Sequence, residues 1–288
     1  MTSRSVVWGL AGIVATLLAA GAAAVADGYL AAAGQARPLS LRPGEATVWY
    51  LGHCGFAVRT AQHLLIFDYQ ERRDGPQPRA RGGATGLDTG WVVPSAIARD
   101  RVRVFVSHSH DDHFDPVIFG WRKVVPDTAC FFGWKAADDP ANHYLAGPRA
   151  THSADGLEIY TINSHHSGVP EVAFLVKVDG LAIYHNGDYR MDYQADFPYL
   201  QKYAARFDLV FVLGVSDESI QYGQQNRDLF ERFKPGAVFP MHAEAGARMY
   251  HEFADAFGAR IPGLPIMVPE KLGDRFEYRG GRITRSGS

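Results

Sequence analysis

Six consecutive residues constrain this chain more than any other feature. Directly after the apolar run Val102–Val106 the sequence reads Ser107, then His108–Ser109–His110–Asp111–Asp112–His113. The run is rich in Val and Phe and reads as a strand, so the polar cluster begins where strand pairing ends. Three imidazoles and two carboxylates crowded together are hard to justify as packing. Desolvation and like-charge repulsion oppose such a cluster unless a cation compensates it. Imidazole with carboxylate is the borderline donor set that Zn²⁺ favours and that Mn²⁺ or Fe²⁺ also accept. A turn leaving a strand end can aim His108 and His110 at one point, while Asp112 and His113 reach a second point beside it. Asp111 has the right chemistry but falls outside the His-x-His-x-Asp-His register.

The remaining composition narrows the classes. The chain has 288 residues, 29 Lys and Arg against 31 Asp and Glu, and is 47% hydrophobic. That excludes disorder as the dominant state and gives no argument for a nucleic-acid partner. Two cysteines exclude a disulfide scaffold. Cys54 and Cys130 both sit in apolar, strand-like contexts, compatible with buried thiols or, in an oxidising compartment, with one disulfide. Residues 5–26 carry no charge and end in Ala24–Val25–Ala26, the small-x-small pattern of a signal-peptidase site. The expectation is therefore a signal peptide or N-terminal membrane anchor over 1–26, a linker over 27–45 and a single domain over 46–288. The protein is expected to be exported, periplasmic or secreted, touching a membrane only through that N-terminal segment.

Strands are expected at Thr47–Leu51, Leu64–Tyr69, Val102–Val106, Leu157–Asn163, Val172–Val178, Leu181–His185, Leu209–Leu213 and Ala237–Met241, the first two belonging to a hairpin or meander. Pro198 reads as a first-turn helical residue. Asn226–Phe233 reads as a short helix, and Ala245–Phe257 as a helix that stops at Gly258. Strands and helices mix without strict βαβ alternation, and no nucleotide-binding glycine fingerprint is present, so the fold is layered α/β and not a dinucleotide-binding sheet.

The His108–His113 loop resembles the signature of the metallo-β-lactamase superfamily. Other segments extend the likeness in order along the chain. Tyr50–Leu51–Gly52–His53–Cys54–Gly55–Phe56 is similar to the opening strand of its lactonase-like and phosphodiesterase-like branches, and Leu65–Ile66–Phe67–Asp68–Tyr69 to their second strand. Tyr184–His185–Asn186–Gly187–Asp188 resembles the segment carrying a metal-bridging carboxylate, and Phe239–Pro240–Met241–His242 the late ligand strand. The resemblance spans about residues 46–245 and implies a four-layer αββα sandwich with two divalent metal ions at one edge, zinc foremost, with manganese or iron compatible. Carried over by position, His108 and His110 hold the first metal with a third histidine. Asp112, His113 and His242 hold the second, and Asp188 bridges them. Ser164–His165–His166–Ser167 offers two candidates for the third histidine, of which His166 is favoured.

A site of this kind places a water or hydroxide between cations roughly 3.5–4 Å apart and polarises the oxygen under attack. Asp112 is the candidate catalytic residue, orienting the nucleophile and assisting proton transfer. His53, Asp68 and His185 are expected to support the site or touch substrate. His63, His143, His152 and His251 are isolated and read as ordinary core or surface residues. The Arg72–Arg81 loop reads as solvated, and the aromatics Trp121, Phe131, Phe132, Trp134 and Tyr144 mostly as core. The expected activity is hydrolysis of an ester, lactone or phosphodiester in a small-molecule or lipid-like substrate. The competing class is a metal-binding or ligand-binding module with little or no turnover.

Overall fold

A computed structural model describes residues 40–71 and 86–286, apart from the side chains of His165 and His166. The N-terminal segment 1–39 and the arginine-rich loop 72–85 lie outside the described residues. The first sheet opens with an antiparallel meander, β1 (Ala46–Gly52), β2 (Gly55–Arg59) and β3 (Leu64–Phe67). It continues in parallel through β4 (Val102–Val106), β5 (Thr128–Phe132) and β6 (Asn142–Tyr144). The second sheet runs β7 (Thr151–Ala154), β8 (Leu157–His166), β9 (Val169–Val178), β10 (Leu181–His185), β11 (Leu209–Leu213) and β12 (Ala237–Met241), its last three strands parallel. The hairpin β13 (Arg275–Arg279) and β14 (Arg282–Arg285) closes the first sheet beside β1.

The apolar pattern explains the layering. β4, β10, β11 and β12 are buried along their whole length, as parallel strands covered on both faces must be. Phe56, Phe211 and Phe239 meet between the two sheets, with ring centroids 4.6–5.6 Å apart. Each such ring contributes about 1.5–3 kcal/mol by burial. The outer face of the second sheet packs on α2 (Tyr193–Gln201), α3 (Gln221–Phe233) and α4 (Arg248–Arg260) through Phe197, Phe230, Phe253 and Phe257. The outer face of the first sheet is covered by the short helix α1 (Ile118–Trp121) and two 3₁₀ turns, through Trp121, Ile97 and Leu87. Helix, sheet, sheet and helix make the expected αββα sandwich in a single domain.

Several local expectations need correction. α2 starts well before Pro198: the Asp192 side chain accepts from Ala195 N and caps the helix, while the proline lies inside it. α3 begins five residues earlier than Asn226. α4 starts at Arg248 and runs through Gly258, around which there is open space, to Arg260. Ahead of Ala46, Gly44 N donates to Asp179 O at 2.8 Å. Cys54 and Cys130 are separate buried thiols. Among the described residues no helix is long and apolar enough to cross a membrane.

Candidate metal centre

The carboxyl ends of β3, β4, β10 and β12 deliver Asp68, the Ser107–His113 loop, the Asn186–Asp188 turn and His242 to one edge of the sandwich. Carboxyl ends of parallel strands are where side chains leave the ladder and can converge on a ligand. The chain is bent hard to reach this edge. His53, Asp68 and His242 all adopt positive φ (50°, 39° and 75°), a left-handed conformation that ordinary side chains avoid. Gly187 has φ 52°, and a Cβ there would lie 2.6 Å from Ser107 Cβ. Only glycine fits the turn that presents Asp188.

Ligand atoms of His53, Asp112, His113 and His242 lie within 4.8 Å of one another, as do those of His108, His110 and Asp112. Asp112 is common to both groups. Its Oδ2 is 3.3 Å from His53 Nε2 and 3.8 Å from His113 Nε2. Asp188 stands against the second group, 3.4 Å from His113 Nε2 and 3.2 Å from His242 Nε2. His108 Nε2 and His110 Nδ1 are 3.0 Å apart. Among the expected ligands, only the His166 side chain lies outside the described residues. Asp111 is exposed.

Supporting contacts fix how these groups face. Asp68 accepts from Ser107 N at 2.7 Å and from Ser107 Oγ at 2.8 Å, and its Oδ2 lies 2.7 Å from His113 Nδ1. That bond places the His113 proton on Nδ1 and turns Nε2 toward the centre, the carboxylate–histidine arrangement that orients metal-binding imidazoles. His185 does not face the cluster: Nε2 pairs with Cys54 O at 3.0 Å and its ring stacks on Phe67. His53 is buried yet directed at Asp112, so it belongs with the ligand groups more closely than a rim position implies.

Glu171 escaped sequence reasoning. This fully buried β9 carboxyl group accepts hydrogen bonds from the Ser164 hydroxyl and from Asp188 N, the latter at 2.5 Å. Its Oε1 lies 3.6 Å from His108 Nδ1. The available signal was an acid directly before the apolar run Val172–Val176, cross-strand from Ser164. Cys54, expected as a buried thiol or a disulfide partner, groups with His113 and Asp188.

The electrostatics describe a site prepared for positive charge. Burial, and secondarily His113, push the His108 imidazole down to about 3, leaving it neutral, the form that ligates metal. At Asp188 burial opposes ionisation, but His113 and His242 hold the carboxyl well below its usual range. His113 resists its own burial through Cys54, Asp68 and Asp188 and is raised well above the ordinary histidine value. Burial, reinforced by Asp188, lifts Glu171 to about 8. Burial likewise pushes the Cys54 thiol up to about 12.

The residues present fit divalent metal. His113 Nε2 is buried and faces the Asp188 and Asp112 carboxylates at 3.4 and 3.8 Å, an imidazole and two acids converging as a divalent-cation donor set does. The same edge carries the Asp112 and Asp188 carboxylates, the oxygen donors such a cation takes beside imidazole.

The family profile described as a Beta-lactamase superfamily domain matches residues 47–242, from the first strand to the last ligand. The chain belongs to the metallo-β-lactamase superfamily. A metal-dependent hydrolase of Thermococcus kodakarensis is 26% identical over 208 residues, 68% of this chain and 83% of that protein. A metallo hydrolase from the archaeon Ignicoccus hospitalis superposes with a TM-score of 0.56 at 16% identity, covering 82% of this chain and 99% of that one. The metallo-β-lactamase-fold protein YhfI of Bacillus subtilis gives 0.56 at 12% identity, covering 81% and 99%. As a superfamily member with this cluster, the protein is a metal-dependent hydrolase.

Proposed function

We propose that the protein is an exported hydrolase that uses two divalent cations, zinc foremost, to cleave an ester, lactone or phosphodiester bond. One observation carries this reading: Asp112 is shared between a His108–His110 group and a His53–His113–His242 group, so one carboxylate serves two adjacent cation points. The cations supply an acidified water and Lewis acidity toward the oxygen under attack.

The protein's own groups do the rest. Asp68 and Ser107 keep the His113 proton on Nδ1, so Nε2 remains a donor to metal. Glu171 holds the Asp188 backbone and thereby the carboxylate that faces His113 and His242. Asp112 Oδ2 orients the attacking water and accepts its proton, and His53 Nε2, 3.3 Å away, stabilises the carboxylate while it waits. Export rests on the uncharged stretch before Ala26.

The test is a panel of lactones, carboxyl esters and phosphodiesters with zinc- or manganese-loaded protein, Asp188→Ala serving as the blank. Turnover of at least one class that is lost in the blank supports the reading. Metal bound at one equivalent, with silence across the panel, refutes it and leaves a binding module.

A further inference from the structure

Beyond Asp188 the chain carries a side chain that the metal centre does not use. Asp188 turns into the site, Tyr189 turns into the core with its hydroxyl on Asp196 Oδ2 at 2.5 Å, and Arg190 emerges exposed. The Tyr222 hydroxyl donates to the Asp188 carbonyl at 3.4 Å, and the Arg190 side chain lies close enough to act on that hydroxyl electrostatically. Gln225 Nε2 holds Tyr189 O at 3.0 Å, and Gln221 Nε2 holds Met191 O at 2.8 Å. Residues 189–191 are thus pinned to α3 on both sides of Arg190.

Among the described residues Arg190 makes no ion pair. Arg59, Arg103, Arg149, Arg227 and Arg285 all sit on carboxylates. A guanidinium whose backbone is held in place beside the centre, with no carboxylate of its own, has its planar donor fork available for an anionic oxygen pair. Met191, the next residue, and Ile220, next to Gln221 that holds the Met191 carbonyl, are both exposed large apolar side chains.

We infer that Arg190, beside Tyr222, receives an anionic phosphate group of the substrate beside the bond to be cleaved, and so directs the centre toward phosphodiesters. The inference rests on the hydrolase reading above and names its substrate class. A charge-assisted pair formed there is worth about one to two powers of ten in affinity.

The experiment compares zinc-loaded wild type, Arg190→Gln and Tyr222→Phe. The first readout is the ratio of kcat/KM for bis(p-nitrophenyl) phosphate over that for uncharged p-nitrophenyl acetate. The ratio is expected to fall about 10- to 100-fold in Arg190→Gln, through KM, and in the same direction but less in Tyr222→Phe. The second readout is calorimetric binding of inorganic phosphate, expected to weaken about tenfold in Arg190→Gln. A ratio within twofold of wild type overturns the inference while leaving the hydrolase reading intact. Phosphate binding that depends on Arg190 in a protein that hydrolyses neither compound leaves an anion site but overturns its role in directing the centre toward phosphodiesters. Equal phosphate binding in wild type and Arg190→Gln overturns it.

Discussion

Replacing Glu171 with glutamine tests the electrostatics of the centre in the metal-free protein. The carboxyl is buried and raised from 4.5 to about 8, chiefly by burial and then by Asp188. Its folded pKa lies above its unfolded one, so between these values the native state holds a proton that the unfolded chain has lost. Its contribution is fully present below pH 4.5 and disappears as pH rises through 8. The loss accrues at about 1.4 kcal/mol per pH unit, to about 5 kcal/mol in all. Glutamine keeps the shape and the acceptor for Asp188 N but cannot ionise, so its curve lacks this slope. Other titrating groups remain in both proteins and cancel in the comparison. Urea unfolding of chelator-treated wild type and Glu171→Gln at pH 5, 6, 7 and 8 should show the variant gaining on wild type with each step. Parallel curves would refute the reasoning, because Glu171 would then be no more costly to ionise in the fold than in the open chain.

Other outcomes follow from the same contacts. Asp68→Asn should weaken zinc affinity by about 10- to 100-fold with circular dichroism unchanged, because the His113 Nδ1 contact at 2.7 Å loses its charge; competition against a chelator measures it. Gly187→Ala places a methyl 2.6 Å from Ser107 Cβ at a φ of 52° and should cost about 1–3 kcal/mol in thermal unfolding, with zinc uptake reduced. Zinc added near pH 7 should release protons, since His113 is raised well above the ordinary histidine value and must give up its charge to ligate; calorimetry in buffers of different ionisation enthalpy counts them. His166→Ala should lose more metal than His165→Ala by elemental analysis, and the reverse order would identify His165 as the third ligand.

What could be read from the sequence was what lies close together along it. The loop His108–His113 is contiguous, so its chemistry is visible without a fold, and the fully apolar runs Leu209–Leu213 and Ala237–Met241 announce buried parallel strands. Glu171 was illegible for the opposite reason. Its partners Ser164, Asp188 and His108 come from three other segments, and only the β8–β9 register and the packing of the Gly187 turn bring them together. The start of α2 was misread because proline suits a first turn, whereas here the Asp192 cap sets the boundary and tertiary packing of Phe197 and Leu200 tolerates Pro198 within the helix. Arg190 had no signal of its own, since one arginine after a site carboxylate looks like any surface charge until Gln221 and Gln225 are seen to hold the backbone on either side of it.

The centre draws on both halves of the sandwich. His108, His110, Asp112 and His113 hang from the first sheet, whereas Asp188 and His242 hang from the second. An ion seated among them acts as a rivet through the two layers, and its binding energy adds to the cohesion of the whole domain, not to one loop. Loading and folding then become linked equilibria: the sheets cannot part while the ion keeps all its ligands, and the ion cannot be retained once they do. The same event that switches on chemistry would also lock the architecture against unfolding.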